Sequence, residues 1–180
     1  ITEAHNTLKD DSSREGYIKE LEMGRAEELL EAEDIFERGK NYLKMGQAKK
    51  ALQAFEEAKG LKKDGGELIV YQLWARLKVI DPVKQYKELV KMEEEFNNIP
   101  INVRNTAAYH FIKGLYQKHR GNIDVAKSHI ENAINADYNF LEARRELNVL
   151  KLQEKSSSKQ VDLLRGDLKD VVGMLFKRNK

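Results

Sequence analysis

Gly39, Gly46, Ala51 and Ala58 return 75 residues later as Gly114, Gly121, Ala126 and Ala133, and each copy is set in helix-forming sequence. An echo at fixed spacing marks a chain assembled from repeated supersecondary units, each of which needs its neighbours to bury its apolar face. The first copy reads ERGKNYLKMGQAKKALQAFEEAKGL and the second IKGLYQKHRGNIDVAKSHIENAINAD. Gly or Ala facing a neighbouring helix removes the side chain that would hold the two backbones apart. The offsets therefore predict pairs of antiparallel helices in close contact.

This pattern resembles the tetratricopeptide repeat (TPR), which has a period of about 34 residues, small side chains near positions 8, 20 and 27 and aromatics near 11 and 24. Tyr42 and Phe55 fill the aromatic slots. The interval leaves room for one middle repeat with a short insertion. Its slots fall on Leu73, Gln85, Leu89 and Met92, with a helix expected to open at Asp81-Pro82. The surplus residues are placed in 93–103, where Asn97-Asn98 and Pro100 break the helical period. The expected fold is all-α: a TPR-type superhelical array of about three helix-turn-helix repeats (31–65, 66–103 and 106–138). A capping helix at 140–154, with Leu141, Leu147 and Leu150 on one face, and a C-terminal amphipathic helix complete it.

In the TPR family the first helix of each repeat lines a concave groove through positions near 5, 9 and 12. The resemblance assigns to it Phe36, Lys40 and Leu43; Val70, Trp74 and Leu77; and Phe111, Leu115 and Lys118. This mostly apolar set suits a protein or peptide segment, with Trp74 as an anchor. TPRs that hold a chaperone tail carry a Lys-x-x-x-Asn clamp beginning near position 8. Phe36 and Lys40 stand there, which argues against an acidic chaperone tail as ligand.

Residues 1–21, ITEAHNTLKDDSSREGYIKEL, resemble the end of a J-domain through Ile1, Glu3, Ala4, Leu8, Asp10, Arg14 and Tyr17, with a polar break at 9–13 between two helices. His5 and Ile18 depart from that pattern. The resemblance implies a co-chaperone whose upstream His-Pro-Asp loop would engage a heat-shock chaperone, and Ile1 in place of Met implies a natural chain that begins earlier. The domains expected are a J-domain remnant at 1–21, a TPR domain at 22–154, and a linker with a helix at 155–180.

Charge is unevenly spread over a total of +2: net −6 over residues 1–40, +5 over 41–158 and +3 over 159–180. No long basic stripe appears, which argues against nucleic acid as a partner. No run of about 18 apolar residues occurs. Cysteine is absent, compatible with a reducing compartment, and a cytoplasmic location is expected. His5, His110, His119 and His129 lack the spacing of a helical metal pair, and Gly65-Gly66 lacks the Lys-Ser/Thr of a phosphate loop. His119, before Arg120-Gly121, suits a helix C-terminus. No catalytic residue, cofactor site or metal site is expected, and the chain reads as a non-catalytic interaction module.

After Ser156-Ser157-Ser158, the tail places Leu164, Leu168, Val172 and Phe176 on one side of a helix. Asp162, Asp167 and Asp170 argue against a membrane surface as its cover. Contact with protein is expected, within the chain or by exchange between chains. The alternative function is a structural TPR adaptor, unrelated to chaperones, that self-associates through this helix.

Overall fold

The structure, a computed structural model, describes residues 11–61 and 63–156. They form seven α-helices and no strand: α1 (Asp11–Lys44), α2 (Ala48–Gly60), α3 (Gly66–Val79), α4 (Tyr86–Asn98), α5 (Ala107–His119), α6 (Ile123–Ala136) and α7 (141–156). A 3-10 turn, Ile101–Val103, lies between α4 and α5. The order is three helical hairpins followed by a single helix. The chain divides into two compact units, with the boundary inside α5 between Ala108 and Tyr109.

The echoed glycines do two different jobs. Gly46 and Gly121 have φ of 75° and 81° and end α1 and α5. In both turns the glycine N–H donates to the carbonyl three residues back, Leu43 or Lys118. The next N–H, of Gln47 or Asn122, reaches five residues back to Tyr42 or Gln117. This is the Schellman motif, which needs a left-handed residue at its turn and so selects glycine. These two glycines therefore turn the chain and do not pack against a helix. Gly39 and Gly114 do pack. A Cβ on Gly39 would lie 2.4 Å from the Phe55 ring, and one on Gly114 would lie 2.6 Å from Ile130 Cγ1. Ala51, Ala58, Ala126 and Ala133 are fully buried.

In the first unit an aromatic cluster joins α1, α2 and α3: Phe36 lies 5.6 Å from Phe55 and 5.5 Å from Tyr71, and Tyr71 stacks on Trp74 at 5.7 Å. The second hairpin keeps large side chains in the small-residue slots, with Leu73, Leu89 and Met92 fully buried. Arg76 ties its helices together by a forked bond to Glu95 (2.6 and 2.8 Å) and a bond to Glu88 (2.5 Å). Burial pulls the Arg76 pKa down, but the two carboxylates outweigh it and leave the group raised.

Three expectations need correction. Helix α4 opens at Tyr86, not at Asp81-Pro82, because Asp81 Oδ1 accepts the N–H groups of Val83 and Lys84 in a separate turn. The insertion is accordingly split. The connection within this hairpin spans 80–85, against 45–47 and 120–122 in the others, and Asn97-Asn98 remain helical ahead of the remainder at 99–106. Lastly, α1 runs unbroken through residues 11–13 and across the boundary set at 21/22. Residues 14–21 are thus not a separate short helix, while residues 1–10 lie outside the described part.

In the second unit, Phe111 of α5 meets Phe140 edge-on at 5.1 Å, and Lys118 bonds Glu146 of α7 at 2.5 Å. Ala143, Leu147 and Leu150 form the buried face of α7, at spacings of four and three. Leu141, expected on that face, is off it by its six-residue interval from Leu147 and is exposed.

Candidate protein-interaction surface

Seven of the nine expected groove residues are buried: Phe36, Leu43, Val70, Trp74, Leu77, Phe111 and Leu115. Apolar periodicity cannot separate a face kept for a ligand from one covered by the chain itself. Val70 still borders open space, as described below. Lys40 and Lys118 keep accessible surface, but Lys118 is engaged with Glu146.

Lys40 sits among charges and rings. Its ammonium donates to Glu37 at 2.5 Å, lies 3.8 Å from Glu67 of α3, and is 5.3 and 5.4 Å from the Phe36 and Tyr71 ring centres. Burial lowers its pKa, but the Glu37 bond and the charges of Tyr71, Glu37 and Glu67 outweigh this and raise it. Lys63 is a second cation over Phe36, bonded to Glu33 with its ammonium 4.8 Å from the ring centre. This end of α1 and α3 is a set of apolar rings held under fixed charge.

Beside it lies a cleft of about 320 Å³, lined by Glu67, Val70, Tyr71, Asn102, Val103, Thr106, Ala107 and Ala108. The insertion builds it. Gly65, at φ 103°, turns the chain into α3, and Gly66 lets Pro100 and Val103 come down on the helix, since a Cβ there would sit 2.7 Å from Pro100 Cδ. Arg104 fixes the segment by donating to the carbonyls of Ile99 and Asn97, both at 2.8 Å. Thr106 Oγ1 donates to the Val103 carbonyl at 2.8 Å. Tyr71, Glu67 and this segment were missed by sequence reasoning. The signal available was Gly65-Gly66, because a second glycine after a turn glycine suggests close backbone approach.

His110 of α5 and His129 of α6 stack with ring centres 6.2 Å apart, and Nδ1 of each is buried without a hydrogen-bond partner. Tyr109 lies edge-on to His110 at 5.8 Å. Burial lowers both pKa values below 6.5, and for His129 the charges of His110 and Lys113 add to it. Below about pH 6.5 the unfolded chain takes up protons that the folded pair refuses, so stability falls as pH falls through that window. The melting temperature is expected to be lower at about pH 5 than at about pH 7.5, and His129→Gln should flatten that difference. An unchanged slope in the variant would remove the pair as its cause. His119 occupies the last turn of α5, and His5 lies outside the described residues.

Among the described residues no three His, Asp or Glu side chains converge as a metal site, and no helix is long and apolar enough to cross a membrane. No family model matches the chain, and no curated protein matches it. Among solved structures it is similar to the first TPR domain of the human RPAP3 protein, at 18% identity over 71% of this chain and 95% of that one, with a TM-score of 0.46. It is also similar to the first TPR of Spaghetti (RPAP3) bound to the HSP90 peptide SRMEEVD, at 18% identity over 69% and 93%, with a TM-score of 0.44.

Proposed function

We propose that this chain is a non-catalytic protein-interaction module that takes a segment of another protein at the cleft beside α3. The observation that carries this reading is the cleft itself, with Val70, Val103, Ala107 and Ala108 in its lining, Glu67 and Tyr71 among them, and Lys40 held 3.8 Å from Glu67. Such a site suits an extended segment that inserts an aliphatic side chain and offers a basic or hydrogen-bonding group to Glu67. Of the nine residues first assigned to the groove, Val70 lines this cleft and Lys40 stands beside it, 3.8 Å from Glu67. The co-chaperone role belongs to the same proposal and is supported by the resemblance of residues 1–21. A His-Pro-Asp loop encoded upstream of Ile1 is its test.

The cleft is tested with a peptide selected from a random displayed library against the intact chain. Glu67→Lys and Asn102→Trp, both at exposed positions, are each expected to weaken that peptide by about tenfold or more, roughly 1.4 kcal/mol. Glu27→Lys, on the exposed part of α1, should leave it unchanged. Selected peptides that bind both cleft variants as tightly as the parent would place recognition elsewhere.

A further inference from the structure

Residues 11–31 of α1 form an arm that is exposed along its whole length, although the packing face of the helix continues into it. Ala32, Phe36, Gly39 and Leu43 are the buried members of that face, and helical periodicity carries it back past Leu29, Leu21 and Ile18. These three side chains are about half exposed, from 47% for Ile18 to 56% for Leu21. Charge is uneven along the arm. Residues 20–31 hold five acids against one base, Arg25, a net of −4, whereas residues 11–19 hold Asp11 and Glu15 against Arg14 and Lys19 and are neutral.

The opposite chemistry is exposed on the second helix of the second hairpin. Val83, Tyr86 and Val90 form an apolar strip along the start of α4 and the turn before it, with Val83 87% exposed. Lys84, Lys87 and Lys91 are exposed beside that strip. Residues 78–91 hold four lysines against Asp81 and Glu88, a net of +2. Both acids are already paired, Asp81 with Lys84 at 3.6 Å and Glu88 with Arg76 at 2.5 Å. Further along α4, Glu93 and Glu94 reverse the sign.

We propose that the arm of one copy docks on this strip of a second copy, antiparallel to α4. In that direction the acidic end of the arm lies along the lysines, and its neutral end, with Arg14 and Lys19, reaches Glu93 and Glu94. In the parallel direction the acidic end would meet Glu93 and Glu94. Both surfaces are exposed within one chain, and α1 is an unbroken helix that does not fold back on its own unit, so the contact is between chains. Two arms facing each other would set −4 against −4, and an anionic membrane would repel the arm. Neither surface includes a residue of the cleft beside α3, so the contact is independent of the function proposed there.

Sedimentation of the full chain tests this. The mass is expected to rise with protein concentration, and the dissociation constant should increase by about tenfold or more between about 0.05 and about 0.5 M salt. Lys87→Glu with Lys91→Glu in one protein, and Glu22→Lys with Glu28→Lys in another, should each weaken self-association by about tenfold or more. All four positions are exposed, so neither pair of changes disturbs the core. Mixing the two reversed proteins should restore association, because an intact arm and an intact strip are then present on different chains. That rescue also shows both variants to be folded. A parent that stays monomeric overturns the proposal and leaves the arm to a different protein. Association that survives the lysine reversal also overturns it, as does association that survives the arm reversal or a mixture that stays dissociated.

Discussion

Phe55→Ala is expected to lower the unfolding free energy by about 3–5 kcal/mol, because a fully buried aromatic ring leaves a cavity that helices can only partly close. The ring is fully buried and joins its own helix, α2, to two others: it lies over Gly39 of α1, 5.6 Å from Phe36 of the same helix, and 6.1 Å from Tyr71 of α3. Gly39→Ala addresses the same contact from the other side. Its Cβ would fall 2.4 Å from Phe55 Cε1, so the ring must move, at a cost of about 1–3 kcal/mol. The two changes share one space, so the double variant should be less damaged than the sum of the singles by about 1 kcal/mol or more. Urea unfolding of the four proteins measures this coupling. Additivity within about 0.5 kcal/mol would show that Gly39 and Phe55 do not share that space.

The hairpins were legible because their determinants are local. A Gly or Ala recurring at fixed offsets encodes close approach, and Gly46 and Gly121 encode a turn that few other residues can make. The second hairpin was harder, since Leu73 and Met92 stand where small residues were expected and the clamp between Arg76, Glu88 and Glu95 joins charges distant in sequence. Phe36, Trp74 and Phe111 have the same chemistry whether a ligand or the chain covers them, and periodicity reports only that they are covered. Tyr71 borders open space because Pro100 and Val103 settle on Gly66, a contact between residues more than thirty apart that no local pattern carries. His110 and His129 are likewise brought together by the register of α5 against α6 and not by spacing along one helix.

Gly114→Val should destabilise the third hairpin by about 3 kcal/mol, the upper part of the range for overpacking. Gly114 is the echo of Gly39, but its surroundings give less. At Gly39 the three nearest atoms all belong to one ring, which can rotate away. At Gly114 a new Cβ would meet Ile130 Cγ1 at 2.6 Å and also the backbone oxygen of Ala126 at 3.1 Å. Side-chain movement relieves the first contact, whereas the second yields only if α6 itself shifts. Shortening Ile130 to Ala in the Gly114→Val background is therefore expected to recover only part of the loss, while Phe55→Leu should recover most of the smaller loss from Gly39→Ala. Thermal unfolding of both pairs compares the two hairpins directly. Full rescue of Gly114→Val by Ile130→Ala would mean that the backbone contact contributes nothing, and that the two copies tolerate a side chain in the same way.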